Sequence, residues 1–552
     1  MDETKQKPAE ETDKRRWSLA LGEAGATAWD RISFWLVALV VGVVAGYAAI
    51  GFRIIINILH NNVYGADSHS LHTQAAGLPW WIILIIPIFG GLIVGVILTR
   101  FTRNGAALSV ADVIAASALR DARVDKKEGL ASAAASLITL STGGSTGREG
   151  PVVHLAAVVS TFLSNRINLT GVSARDILGC AVASAVSASF NAPIAGALFA
   201  LEVVLRHYAP RAFAPIVVAS VAGAVISRLH MGEITEFVLP PKTVEFYEEI
   251  PAFMLLGVIC GLVAATLMRA LFFAEDVANT IQKRTGIPAL ARPAIAGGIL
   301  GLIAIWFPHV IGVGYETTSR ALTGELTLQA AILFAGVKAF AVAVTFAGRM
   351  GGGVFSPALM VGALTGLAFG HIAISLFPEV SGSYGLYALA GMGAVAAAVL
   401  GAPVSTTLIV FELTGDYQTA IAVMIAVSLA TVTAQRFVFR SFFLSQLMRA
   451  GINLAEGPQS YLPATIPCTR VMRTVKAEET DEAWRMADAG LALTPGASLD
   501  SALPLFEAKK VPFLPVVDEG EGAPQLRGVV THVEALRAVN RALVASHREE
   551  HG

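Results

Sequence analysis

The chain has 552 residues and a net charge of -1; 54% of its residues are apolar, 15% are charged and 52 are glycine. A charged fraction this far below the roughly 25% of soluble domains, with so much glycine, points to helices packed closely in lipid. The near-zero net charge offers no electrostatic footprint for nucleic acid or another strongly acidic partner.

Met1 to Arg16 is polar and charged, with Lys5, Lys7, Lys14, Arg15 and Arg16 ahead of any apolar run. It shows no signal-peptide pattern, and the positive-inside rule keeps the 1–29 segment in the cytoplasm. Charge-free runs long enough to cross a bilayer then recur. They are Ile32 to Phe52, Pro79 to Thr99, Ile177 to Leu201, Ile250 to Met268, Met350 to Pro378, Val380 to Phe411 and Tyr417 to Gln435. A soluble protein has no surface to cover so many. Gly and Pro interrupt several runs, which predicts short, tilted and discontinuous helices. Such breaks are tolerated in a membrane only where protein buries them or they line a polar cavity. Cys180, Cys260 and Cys468 are too far apart for a disulfide framework or a metal cluster, and the two in apolar stretches read as buried thiols.

The halves 30–235 and 250–445 repeat one another. Gly42-x3-Gly46 followed by Arg53 is echoed by Gly257-x3-Gly261 followed by Arg269. GGLIVG (Gly90 to Gly95) is echoed by GGILG (Gly297 to Gly301), and GREGP (Gly147 to Pro151) by GGVFSP (Gly352 to Pro357). FNAPIAGALFALE matches LGAPVSTTLIVFE, with Pro193 and Glu202 nine apart, as are Pro403 and Glu412. Four matches in one order predict a duplication, read as two inverted repeats. Beyond Asn453 the composition becomes that of a soluble domain, 455–552. Ser498 to Lys510 and His532 to Ser546 read as helices, and Val511 to Val517 and Leu526 to Thr531 as strands.

The sharpest feature is STGGSTGREGP, Ser141 to Pro151. Glycines before an apolar helix leave its first N–H groups exposed at the positive end of the helix dipole, an anion site that needs no side-chain cation. GGGVFSP, Gly351 to Pro357, repeats the device, and the two can converge near the bilayer midplane. Gly147, Arg148, Gly150 and Gly353 are the anion-binding candidates at these breaks. Helix-packing glycines are the competing reading, but they leave unexplained Arg148 and Glu149 at a depth where a charge costs about 3 kcal/mol or more. A carboxylate at an anion site can mimic the anion, occupy its place and leave when protonated, so Glu149 is the candidate gate. Its competing role is a structural partner for Arg148. Glu202 and Glu412, ending apolar runs, read as partnered structural acids. No HExxH, GxSxG or paired-Asp motif lies in the spans, so no enzyme is expected.

GREGPVVH, the NAP-x8-E segment, GGGVFSP and VFELTGDY (Val410 to Tyr417) resemble the signatures of the CLC family of chloride channels and proton/chloride antiporters, over about residues 30–450. The resemblance implies an all-α polytopic fold of inverted repeats of broken and tilted helices. It also implies a homodimer with one pore per subunit, both termini cytoplasmic, and chloride as the transported ion. Glu149 falls at the family's external gating glutamate, and Val354 and Phe355 at the positions whose amides hold the central anion. Three departures stand out. The loop that usually reads GSGIP is AALSVAD (Ala106 to Asp112), where a gap-free count puts Leu108 at the coordinating serine and Ser109 is nominated in its place. The inner tyrosine is Phe443, without a hydroxyl. The antiporters' internal proton-transfer glutamate is Val203, which resembles the channel branch, although some coupled members also lack an acid there.

The C-terminal region resembles part of a CBS module, with Thr531-x2-Glu534 at a usual ribose-contact position and a strand-like piece near Val471. Dimer pairing or scaffolding is favoured there over binding of an adenine nucleotide, and no other cofactor is called for. The reading that results is a passive chloride pore gated by glutamate in a bacterial plasma membrane. A proton-coupled antiporter is the alternative, and an organic-anion transporter the lesser one.

Overall fold

The computed structural model describes residues 28–551 apart from 68–69, 170, 207, 209, 233–247, 382, 455–461, 464–465 and 519–523. Met1 to Arg16, the junction near 235 and the boundary at 455 lie outside the described residues.

The fold is almost wholly helical, because only helices satisfy their own backbone in lipid without sheet closure. The first half contains α1 (Ala28–Tyr64), α2 (Leu71–Ala76), α3 (Trp80–Phe101), α4 (Val110–Leu119) and α5 (Lys126–Ser141). It continues through α6 (Glu149–Arg166), α7 (Gly171–Phe190), α8 (Pro193–Phe199), which runs on as a π turn over Ala200–Leu205, and α9 (Pro210–Met231). The second half contains α10 (Ile250–Thr285), α11 (Ala291–Trp306), α12 (Tyr315–Leu322), α13 (Leu328–Ala347) and α14 (Phe355–Leu376). After these come α15 (Tyr384–Leu400), α16 (Pro403–Thr414), α17 (Tyr417–Phe437) and α18 (Phe442–Arg449). Seven described helices are long and apolar enough to cross a membrane. The outward faces of the apolar helices carry Leu36, Phe89, Leu229 and Phe340, with Trp80 and Trp306 exposed at helix ends, where indole favours the interface.

Two expected spans prove to be helix pairs. Ile177 to Leu201 breaks between α7 and α8, and Val380 to Phe411 between α15 and α16. The cause is the same in both. Asn191 (φ 55°) and Gly401 (φ 72°) take the left-handed conformation that ends a helix. Pro193 and Pro403 then restart it at N1. Two helices absent from the sequence reading as spans, α9 and α13, are also long and apolar enough to cross. In α13 the reason is Lys338, which interrupts the charge-free run yet is fully buried, its ammonium donating to Val310 O at 3.3 Å and Gly312 O at 2.8 Å.

The repeat is visible in the packing. A Cβ on Gly91 of α3 would lie 2.4 Å from Pro293 O of α11, and one on Gly297 of α11 would lie 2.0 Å from Pro87 O of α3. The echoed glycine motifs therefore face each other, and only glycine permits that approach. The repeated acids are reciprocal caps. The Glu202 carboxylate accepts from Val404 N (3.0 Å) and Ser405 N (2.8 Å) at the start of α16. Glu412 accepts from Ile194 N (2.9 Å) and Ala195 N (2.7 Å) at the start of α8. Each satisfies orphan donors at a helix N-terminus in the other half.

The C-terminal region holds α19 (Thr480–Asp488), α20 (Leu499–Lys509), β1 (Phe513–Asp518), β2 (Gln525–Thr531) and α21 (His532–His551). The strands pair antiparallel around a core that includes Phe506, Leu514, Val516 and Val530. The piece near Val471 is a 3₁₀ turn (Cys468–Arg470) with a single bridge from Arg473 to Val529, not a strand. Thr531 and Glu534 close on each other, with Thr531 Oγ1 donating to Glu534 Oε2 at 2.9 Å at the start of α21.

Charged hydrogen bonds of the Glu202 kind contribute about 1.5–3 kcal/mol each. Glu202→Ala and Glu412→Ala should therefore each lower the thermal unfolding temperature of detergent-solubilised protein by several degrees, to similar extents. Unchanged unfolding in both variants would contradict the capping role.

Candidate functional site

The two Gly-rich breaks match residue for residue. Gly147, Arg148, Glu149, Gly150 and Pro151 stand where the second half has Gly353, Val354, Phe355, Ser356 and Pro357. Arg148 and Val354 are the helix N-caps, with φ/ψ of -88°/-18° and -90°/-13°. Gly147 N donates to Gly353 O at 2.7 Å and Gly353 N to Gly147 O at 2.8 Å. This antiparallel bridge clamps the two helix starts together. It also corrects the expectation for Gly147 and Gly353: their N–H groups are spent on each other, so they position the site and do not offer donors to an anion. The approach is tight enough to require glycine, since a Cβ on Gly353 would lie 2.9 Å from Gly150 N.

What the clamp presents is the first turn of α6 and of α14. Pro151 and Pro357 carry no N–H, and the ladders open with Val152 N to Arg148 O and Ala358 N to Val354 O. The N–H groups of Glu149, Gly150, Phe355 and Ser356 thus have no intrahelical acceptor. Next to them is a cavity lined by Val110, Glu149, Phe190, Phe199, Phe355 and Phe443 among others. The Phe190 and Phe355 rings meet edge to face at 5.0 Å. In such apolar surroundings a few aligned N–H dipoles attract an anion far more strongly than they do in water.

Glu149 is buried, 4% exposed, at N1 of α6. Its Oε1 accepts from Ser356 Oγ at 2.5 Å and from Tyr315 OH at 3.1 Å. The Arg148 Nε is 4.0 Å away, and its guanidinium lies over the Tyr315 ring at 5.0 Å. The partner role foreseen for Arg148 is therefore the weaker contact, and the hydroxyls of Tyr315 and Ser356 are the near ones. The structure brings Glu149, Gly150, Val354, Phe355 and Phe443 to this one cavity.

Ser109 is not among the residues that line the cavity. It is the N-cap of α4, its Oγ accepting from Ala111 N at 3.2 Å and donating to Asp112 Oδ2 at 3.3 Å, while Asp112 accepts from Ser109 N at 2.7 Å. The next residue, Val110, is the one that lines the cavity. Ser109-x2-Asp112 is a capping box, a local pattern that was available in the sequence. Val203 is buried in the π turn after α8. Tyr315, Ser356 and Lys338 were not singled out. Ser356 lies inside GGGVFSP, at the position matching Gly150, whereas Tyr315 carries no local signal.

Residues 90–435 match the family described as voltage gated chloride channel. The chain belongs to that family. It is 30% identical over 413 residues to a ClcB-like chloride channel protein of Ralstonia nicotianae, covering 74% of this chain and 95% of the relative. It is equally 30% identical over 411 residues to the voltage-gated ClC-type chloride channel ClcB of Escherichia coli, covering 72% and 95%. Its fold is that of a slow cyanobacterial Cl-/H+ antiporter, with a TM-score of 0.67 at 21% identity over 76% of this chain and 97% of the other. A eukaryotic CLC transporter aligns over 91% of this chain and 98% of the other, with a TM-score of 0.66 at 16% identity. Family membership makes this a membrane protein of the chloride channel and transporter class, with the CLC fold of inverted, broken helices.

Because Ser109 acts as a helix cap, Ser109→Ala should cost about 1 kcal/mol of stability and leave the order of anion preference unchanged. Anion-substitution flux in liposomes checks this, and a reordered series would return Ser109 to the pore.

Proposed function

We propose that the protein conducts chloride and other small anions passively across a bacterial plasma membrane, through one pore in each subunit of a homodimer, with Glu149 as the gate. The observation that carries this reading is a carboxylate lodged where the amino ends of α6 and α14 converge. A negative group there takes the place an anion would take, and protonation removes its reason to stay. The relatives named as chloride channels supply the anion. Val354 and Phe355 are its backbone donors, Gly150 flanks them, and Phe443 forms the inner wall. The bacterial relatives support the location, and both termini are assigned to the cytoplasm. The C-terminal region is assigned a scaffolding role of CBS type, since Thr531 and Glu534 satisfy each other and need no nucleotide.

A proton-coupled antiporter is the second reading, favoured by the likeness to a fold neighbour named as a Cl-/H+ antiporter. Coupling needs protons to reach Glu149 from the cytoplasm by a route apart from the anion. Val203 supplies no titratable group, and Phe443 supplies no hydroxyl at the inner wall. Both residues favour the passive pore.

Glu149→Ala should leave anion flux robust and insensitive to external pH. Loss of flux in correctly folded variant protein would remove Glu149 as the gate.

In proteoliposomes a chloride gradient should drive no uphill proton movement. The reversal potential should lie near the chloride equilibrium value and stay there under an imposed pH gradient. Stoichiometric proton pumping by the unmodified protein would promote the antiporter.

A further inference from the structure

We propose that the hydroxyls of Tyr315 and Ser356 form a latch that holds Glu149 shut, so that these two residues, acting as positioning residues, set how much of the time the pore is closed. The proposal rests on reading Glu149 as the gate and adds what keeps it in place.

A carboxylate in an apolar cavity must be held by donors or it will not stay charged there. The near donors to Oε1 are Ser356 Oγ at 2.5 Å and Tyr315 OH at 3.1 Å, whereas the Arg148 Nε stands off at 4.0 Å. Arg148 instead reaches Ser189 O at 3.4 Å and lies over the Tyr315 ring, steadying the tyrosine. The charged and titratable groups facing the carboxylate are Arg148 from α6 and Tyr315 from α12. α4, α7 and α14 present Val110, Phe190 and Ser356 there, none of which titrates.

Both hydroxyls are delivered rigidly. Tyr315 is 2% exposed and Ser356 3%. The turn leading into α12 is pinned by Lys338, which donates to the carbonyls of Val310 and Gly312. The residue after Tyr315, Glu316, accepts from Thr73 N at 3.1 Å and from the Thr73 hydroxyl, tying α12 to α2. Tyr315 therefore has little freedom to follow the carboxylate when it leaves.

The repeat shows how the latch arose. Ser356 is the second-half counterpart of Gly150, which has no side chain, so only the second half can donate a hydroxyl across the clamp. Tyr315 opens α12 as Val110 opens α4. Val110 lines the cavity beside Glu149 without a polar atom, while Tyr315 bonds the carboxylate. Both bonds are charge-assisted while the carboxylate is ionised, and adding a proton to Glu149 weakens both at once. The latch thus opens with acid.

The test is chloride efflux from liposomes holding the full chain, read as the ratio of flux at external pH 7.5 to flux at pH 4.5. Tyr315→Phe and Ser356→Ala should each raise this ratio, roughly tenfold per lost hydroxyl until it meets the Glu149→Ala value. Ser356→Thr, which keeps a hydroxyl, should retain the unmodified ratio. On the Glu149→Ala background neither change should add a further gain, because no carboxylate remains to be held. If the Tyr315→Phe/Ser356→Ala double variant, with Glu149 intact, keeps the unmodified ratio while Glu149→Ala has lost its pH response, the latch is wrong and the gate stands. An equal gain on the Glu149→Ala background would mean the hydroxyls shape the pore instead, and that also overturns the latch. A Glu149→Ala protein that still responds to acid would overturn the gate and the latch with it. Should Ser356→Ala fail to fold, Tyr315→Phe, which removes one oxygen and leaves the ring, decides the matter alone.

Discussion

A helix that begins inside a bilayer leaves N–H groups that lipid cannot satisfy, and the whole site follows from having two such beginnings clamped together. The Gly147–Gly353 bridge holds the starts of α6 and α14 in contact. Their positive ends then point at a shared space that phenylalanine rings keep largely apolar. Water would otherwise quench those dipoles; here they favour a negative charge. A buried carboxylate of the same chain, Glu149, lines that space. The glycines at 150 and 353 exist because backbone approaches backbone. The prolines at 151 and 357 sit at the first-turn position where a missing N–H costs nothing.

How much of this was legible in the sequence depended on the range of each interaction. The duplication and the paired breaks are written in short stretches, and so is Glu149, a carboxylate that the structure buries at one of those breaks. The division of α7 from α8 and of α15 from α16 was also local, in Asn191 and Gly401 before Pro193 and Pro403, but an apolarity criterion sees through a break that lasts two residues. The same criterion discarded α13, because it counts Lys338 as a charge in lipid and cannot see two carbonyls waiting for it. Ser109 misled in the opposite way: a family position one residue off drew attention from Ser109-x2-Asp112, whose local capping chemistry decides where that hydroxyl goes. Tyr315 lies 166 residues from Glu149 in the chain. No window short enough to carry periodicity could have joined them; only the interleaving of inverted halves does.

The repeat also sorts residues by role. Where both halves kept the same residue, the contact is reciprocal and structural. Glu202 caps α16 and Glu412 caps α8, so neither carboxylate is free to move without exposing a helix start. Pro193 with Pro403 and Gly147 with Gly353 belong to the same class. Where the halves diverged, the symmetry of the scaffold becomes an asymmetry of function. Glu149 faces Phe355 in the pairing, Gly150 faces Ser356, and Val110 faces Tyr315. Two identical halves would have placed two carboxylates in one cavity, and like charges at that distance cannot both remain ionised. One carboxylate opposite an aromatic ring, with hydroxyls supplied only from the second half, gives instead a single charge with a single set of partners. The gate proposed for Glu149 needs one movable group on a frame that does not move. The repeated contacts form such a frame, and divergence at these three pairs leaves Glu149 as the one carboxylate lining the cavity.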